Sequence, residues 1–331
     1  MAYTTIDDPS SVFQCTLYSG TGSQQSITNG GNSDLQPDFL WIKERTGTSS
    51  HQLVDSVRGF HLRLESDNTS AELDAGQAGA TNQNVTSFDS DGFGVKNGAA
   101  VNASGNNYVA WQWKKQAGVF DIQTWTGNGS NRTISHNLGV IPQMMIVKKR
   151  SPAGGNWQVN TAQLAANQLV ELDETAAVVQ DDTYFNNTRP TSSVFTVGTD
   201  GNQNTNTHTY LIYLFGNKQG VSRMGKYIGN GNADGTFVYT GFKPAFVMVK
   251  ITSSSDSWVI KDNKRDTINQ MSKRIFPDLS NAEDTGSGGE MDFLSNGFKF
   301  RSGSTNLNNG SGQSYIYMAF ASEPFTTSTG I

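Results

Sequence analysis

One cysteine, Cys15, occurs in 331 residues, so no disulfide framework within the chain can hold this fold together. Charge is also scarce. Lys, Arg, Asp and Glu make up 16% of the chain, and the formal net charge is -5. An acidic balance argues against non-specific nucleic-acid binding, which needs a concentrated basic surface to neutralise phosphates. No apolar run is long enough to span a bilayer, so no membrane insertion is expected. The start, M-A-Y-T-T-I-D-D-P-S, has neither a basic segment nor an apolar one, so no secretory signal is expected and synthesis is placed in a cytoplasm. The four histidines, His51, His61, His136 and His208, show no metal-binding spacing, so no zinc or other cofactor is expected. They read as ordinary surface or loop residues. Cys15, in V-F-Q-C-T-L-Y, reads as a small packed residue.

What the chain has in place of charge is Asn, Ser, Thr, Gln and Gly. These residues favour turns over helix interiors. Compact apolar runs with aromatics recur between them, which excludes a disordered chain. The class is all-β. Helix is expected only as short pieces, T-A-Q-L-A-A-N-Q-L-V-E-L from Thr161 and T-I-N-Q-M-S-K-R-I from Thr267.

Five landmarks appear three times in the same order. Y-S-G-T-G at Tyr18, W-T-G-N-G at Trp125 and Y-I-G-N-G at Tyr227 open each copy. A proline then leads an apolar run: P-D-F-L-W-I-K from Pro37, P-Q-M-M-I-V-K from Pro142, P-A-F-V-M-V-K from Pro244. A short apolar run without polar alternation fits a strand buried on both faces. H-Q-L-V-D at His51 stands where the other copies have N-W-Q-V-N and S-W-V-I-K-D, and D-S-D-G-F-G-V from Asp89, S-S-V-F-T-V from Ser192 and L-S-N-G-F-K-F from Leu294 follow. Y-V-A-W-Q-W, Y-L-I-Y-L-F and Y-I-Y-M-A-F close the copies, 90, 85 and 88 residues after the opening aromatic. We expect an N-terminal arm over residues 1–16 and three tandem β-sandwich domains at 17–117, 118–218 and 219–331, of jelly-roll or immunoglobulin-like type. They are expected to lie close together like beads on a stiff string.

The glycine openings are followed by strand-like residues, and no G-K-[ST] occurs. They read as turns, not phosphate loops. D-S-D-G at Asp89 has half the ligands of a calcium loop, and a tight turn explains it more simply. D-S-V-R at Asp55 and D-N-K-R at Asp262 share an Asp-x-x-Arg pattern, against N-T-A-Q from Asn160 in repeat two. An ion pair within a domain is one reading; an arginine that grips a partner's carboxylate or a sugar is the other. Trp157 and Trp258 match across repeats. Aromatics of this kind fill cores or, at loop rims, stack on sugars, and these two are the candidate glycan-binding residues. No copy repeats a carboxylate pair, and the shared residues describe a scaffold, so no enzyme is expected.

At these landmarks the chain resembles repeat-containing virion proteins of tailed phages that infect marine bacteria, including cyanophages. The residues that carry the resemblance include P-D-F-L-W-I-K, D-S-V-R-G, S-D-G-F, Y-V-A-W-Q-W, G-N-G-N-A-D-G-T-F-V-Y-T-G-F-K-P-A-F-V-M-V-K, F-L-S-N-G-F-K and S-Y-I-Y-M-A-F-A. The resemblance implies a non-enzymatic structural protein of the virion, of tail-fibre, appendage or capsid-decoration type. Its partners would be other virion proteins and copies of itself. The alternative is a receptor-binding adhesin whose loops recognise host-surface glycans. That reading requires exposed aromatics with convergent Asn, Asp or Gln beside a groove. A glycan-degrading enzyme would instead require two carboxylates in one cleft.

Overall fold

A computed structural model describes residues 5–75, 84–286, 288–303 and 307–324. The chain is all-β, with antiparallel pairing between its strands. Repeat one comprises β1 (Phe13–Ser19), β2 (Gln25–Thr28), β3 (Phe39–Glu44), β4 (Gln52–Asp55), β5 (Gly59–Leu64), β6 (Leu73–Asp74), β7 (Val85–Asp89), β8 (Gly92–Val95) and β9 (Asn107–Trp113). Repeat two comprises β10 (Phe120–Thr126), β11 (Arg132–Ser135), β12 (Met144–Ser151), β13 (Gln158–Thr161), β14 (Gln168–Glu171), β15 (Val179–Gln180), β16 (Val194–Val197) and β17 (Thr209–Phe215). Repeat three comprises β18 (Ser222–Ile228), β19 (Phe237–Tyr239), β20 (Phe246–Ile251), β21 (Val259–Asp262), β22 (Met291–Leu294), β23 (Gly297–Phe300) and β24 (Ser314–Phe320). β1 begins at Phe13, inside the stretch expected to be an arm.

Each repeat builds a large sheet in which the first strand pairs with the last. The orders are β1-β9-β3-β4-β5-β6, β10-β17-β12-β13-β14-β15 and β18-β24-β20-β21. A smaller sheet covers one face: β2-β8-β7, β11-β16 and β19-β23-β22. Successive residues of a strand point to opposite faces. Leu40 and Ile42 of β3 therefore pack under the small sheet with Ile27, Phe93 and Val95. Phe39 and Trp41 point the other way, into a second core.

That second core is common to all three repeats. It joins Phe13, Trp111 and Trp113 of repeat one, Phe120, Trp157 and Phe215 of repeat two, and Phe246, Trp258 and Phe320 of repeat three. Trp113, Phe215 and Phe320 hold the same register position on the closing strands. Their rings form a triangle with sides of 6.3, 6.0 and 5.7 Å. The repeats are therefore not beads on a string. They surround one apolar centre, and each large sheet is buried on both faces, as the unbroken apolar runs require.

The interfaces repeat cyclically. The amide of Glu72 donates to the Arg150 carbonyl, that of Val178 to Thr252, and that of Glu283 to Arg45, at 2.8, 3.1 and 2.9 Å. These join repeats one to two, two to three and three to one. The ring is closed.

The opening glycines serve the sandwich of loops at each repeat's end. A Cβ on Gly20, Gly127 or Gly229 would lie 2.0, 2.0 or 2.3 Å from a backbone carbonyl of the loop that precedes the closing strand. A buried Asn of that loop, Asn102, Asn204 or Asn309, accepts a hydrogen bond from the residue after each glycine. Asp89 to Gly92 likewise forms the β7–β8 turn, with Gly92 at φ +126°.

Helix is confined to a four-residue piece, Ala99–Asn102, and two short 3-10 turns among the described residues. Neither expected helical piece forms. Thr161 ends β13, and the segment continues through turns into β14, held by the Asn160 side-chain amide on the Ala165 and Gln168 carbonyls. The Thr267 segment bends over residues 268–270, and Met271 and Ile275 then bridge to Met291 and Ile260.

A shared centre predicts one cooperative unfolding transition, seen at the same urea concentration by far- and near-ultraviolet circular dichroism. Resolved transitions for separate repeats would contradict it. Trp113→Ala is expected to cost about 3–5 kcal/mol, because it opens a cavity where all three sheets meet.

Candidate functional site

Trp157 and Trp258, the candidate sugar-stacking residues, are fully buried. Each lies at an interface between repeats. Trp157 Nε1 donates to the Glu65 carbonyl at 2.8 Å, and Trp258 Nε1 to the Glu171 carbonyl at 2.8 Å. Neither ring offers a face to a ligand, so the glycan assignment of both is corrected to a role in joining repeats. His51 occupies the third equivalent position. Its Nε2 lies 3.0 Å from the Phe276 carbonyl, and its Nδ1 accepts from Trp41 Nε1 at 2.8 Å. Burial lowers the His51 pKa to about 3, which keeps the ring neutral with its proton on Nε2. His51 and His136 are thus buried, contrary to the expectation of surface histidines. Cys15 is buried, and burial raises its thiol well above its ordinary value.

Behind each of these residues stands a buried lysine. Lys43, Lys148 and Lys250 occupy one register position and are fully enclosed. Each ammonium group donates to backbone carbonyls, as Lys148 does to Gly155 at 2.8 Å and to Asn68 of the neighbouring repeat at 3.3 Å. Burial lowers each lysine to about 8. Opposite them are Asp67, Asp173 and Asp278, which accept the backbone N–H of His51, Trp157 and Trp258. Burial raises Asp278 to about 6.

Both Asp-x-x-Arg pairs are ion pairs within a repeat, buried where that repeat meets its neighbour. Arg58 Nε donates to Asp55 at 2.5 Å and Nη1 to Glu72 at 2.8 Å, while the Tyr213 hydroxyl of repeat two donates to Asp55 at 3.0 Å. Arg265 pairs in the same way with Asp262 and Glu283, and Trp111 Nε1 of repeat one donates to Asp262 at 3.0 Å. Burial disfavours the charge of Arg265, but Asp262 and Glu283 outweigh it and raise its pKa. The strand register aligns Thr161 and Leu164, not Asn160 and Gln163, with this pair in repeat two. There the facing residue is Met318, and Val178 stands where Glu72 and Glu283 stand. The charged network is absent from that interface as a unit. This arginine reaches neither a partner nor a sugar; it closes the ring.

A different part of the surface has the geometry of a binding site. Where repeat two meets repeat three, a groove of about 620 Å³ lies between β18 and β19. Gln143 and Gln163 of repeat two form one side. Phe237 and Tyr239 form the other and are 45% and 60% exposed, unusual for aromatic side chains. A second lobe of about 340 Å³ continues past Asn217, Arg223 and Tyr239, which line both lobes. The floor is Tyr317, whose ring lies where a side chain at Gly225 would be; a Cβ there would sit 2.8 Å from it. Burial raises the Tyr317 hydroxyl, and the neighbouring Arg223 opposes that shift.

Only repeat three can form this groove. The register positions of Gly225 are filled by Thr16 and Gln123 in the other repeats. Those of Phe237 and Tyr239 are filled by Ser26 and Thr28, and by Thr133 and Ser135. A search for shared landmarks passes over these positions; the aromatic, glycine and amide residues that depart from the repeat would have revealed them. No group of three or more His, Cys, Asp or Glu side chains that could hold a metal ion is found among the described residues.

The chain belongs to the family described as a domain of unknown function (DUF7483), matched over residues 8–324. No curated protein and no solved structure matches it.

Two outcomes follow from the buried charges. Arg58→Leu strands the Asp55 carboxylate in the interior and is expected to cost about 3–5 kcal/mol, whereas the pair Asp55→Thr with Arg58→Leu, which copies repeat two, should cost much less. Urea midpoints of the two variants check this. Asp278 binds its proton more tightly folded than unfolded, so its contribution is complete below about pH 4 and is lost as pH rises through about 6. Asp278→Asn should remove up to about 3 kcal/mol of that pH-dependent loss, read as a flatter plot of urea midpoint against pH between 4 and 7.

Proposed function

We propose that this chain is a non-enzymatic structural protein on the surface of a phage particle, acting through contacts with other virion proteins and with copies of itself. The observation that carries the reading is the use made of the repeated polar residues. The lysines, the aspartates that face them and both Asp-x-x-Arg pairs are engaged inside the ring, joining repeats. A chain whose shared chemistry is structural serves as a body that holds its shape and presents its periphery. The resemblance to repeat-containing virion proteins supports the same reading. The test is labelled-antibody electron microscopy of purified virions. Label on the head assigns a decoration role, and label at the tail assigns an appendage role. Absence of the protein from particles would sink the proposal.

The groove of repeat three favours a second reading that is compatible with the first. Exposed Phe237 and Tyr239 beside Gln143, Gln163 and Asn217 are the combination a glycan-recognising adhesin requires. Flat aromatic faces pack on the C–H faces of a sugar while amides meet its hydroxyls. On this reading, purified protein added to host cells blocks phage adsorption, and the Tyr239→Ala protein does not. Equal blocking by both proteins would remove the groove from attachment.

A further inference from the structure

We infer that the groove between repeats two and three is a binding site for an acidic oligosaccharide, carrying uronate or sulfate groups. This inference rests on the glycan-recognition reading above and adds the charge and length of the ligand.

The charge comes from the lining. Arg223 and Lys226 are both exposed and leave β18, an edge strand, on its opposite faces, and Lys218 borders the second lobe. None of the three forms an ion pair among the described residues, and neither lobe is lined by an Asp or Glu. In a chain with a net charge of -5, three unpaired cations along one groove are a local reversal of sign. In repeat two, the position of Arg223 is held by Asp121, which pairs with Lys115. Repeat three has exchanged that internal acid for a solvent-facing guanidinium. A planar fork of N–H donors matches carboxylate and sulfate oxygens.

The length comes from the shape. Two lobes meet at Tyr239, whose ring is the most exposed aromatic surface in the groove. One ring shared by two lobes suits a chain of several sugars that crosses it, with residues on either side. Glycine at position 225 lets the Tyr317 ring lie against the strand and form the floor, since a Cβ there would meet it at 2.8 Å. A single-stranded nucleic acid shares the need for cations and stacking. It carries one phosphate per nucleotide, however, and sites for it usually run along a broad basic surface, whereas the cations that line the two lobes here are three, Lys218, Arg223 and Lys226.

The test measures binding of the full-length protein to a panel of uronate-bearing, sulfated and neutral oligosaccharides of matched length, with a single-stranded oligothymidylate alongside. Acidic members are expected to bind and neutral members to bind at least tenfold more weakly, a gap of about 1.4 kcal/mol. Arg223→Gln with Lys226→Gln should erase that gap and its dependence on salt, while Tyr239→Ala weakens acidic and neutral members alike. All three side chains are exposed, so circular dichroism spectra and urea midpoints of the variants should match the parent. Equal binding of neutral and acidic members would overturn the charge assignment and leave glycan recognition standing. Failure of the whole panel to bind would overturn both. Tighter binding of the oligothymidylate would reassign the groove to nucleic acid.

Discussion

A sheet with two apolar faces cannot stand alone in water, and the large sheets of this protein have two. One face is covered within each repeat by a small sheet. The other has no cover that the repeat itself can supply. At roughly 25 cal/mol per Å² of apolar surface, leaving Trp111, Trp113 and Phe39 in solvent would outweigh the few kcal/mol by which a domain of this size is stable. Each repeat therefore needs the other two. Three such sheets satisfy one another around the triangle of Trp113, Phe215 and Phe320, and the chain closes on itself instead of stacking onward as an open solenoid does.

The polar residues near this centre follow from the same constraint. An indole N–H enclosed there costs about 1–3 kcal/mol when unmet; that of Trp113 has no acceptor, while those of Trp41, Trp111, Trp157 and Trp258 each find one. For Trp157, Trp258 and His51 the acceptor is a carbonyl of the neighbouring repeat, and they reach across to Glu65, Glu171 and Phe276. These hydrogen bonds have direction and fixed partners, so they set the order and angle of the repeats where apolar packing alone would tolerate sliding. The buried ion pairs add to that at two interfaces. At the third, Val178 and Met318 pack into the shared core instead, in keeping with the finding that a buried charge network and a well-packed apolar one can be exchanged at similar stability.

Much of this was legible in the chain. The repeats, the all-β class, the strands buried on both faces and the glycine turns follow from local patterns: composition, spacing and missing alternation. What covers the second face of each sheet does not, because it depends on contacts between residues a hundred positions apart. Trp157 and Trp258 illustrate the gap. A tryptophan beside a strand reads equally as rim or centre until its neighbour across the interface is known. The Asp-x-x-Arg pair shows the converse. Its loss from repeat two coincides with Met in place of Trp111 or Tyr213, a correlation inside one sequence that becomes meaningful once the register aligns Thr161 with Asp55. The groove was illegible for a third reason. It lies in what the repeats do not share, and three-way comparison discards such positions first.

Because the three repeats are joined covalently, each has been free to change without changing the others. Three identical chains around the same axis would carry every substitution in triplicate, and a groove made by Gly225, Phe237 and Tyr239 would appear three times. Here it appears once. The valency of any larger assembly is then set by the number of chains it contains and not by the internal symmetry of each. A surface built from this protein could space its contacts at the full width of a three-repeat body, so that weak individual attachments add up only where many copies meet the same target.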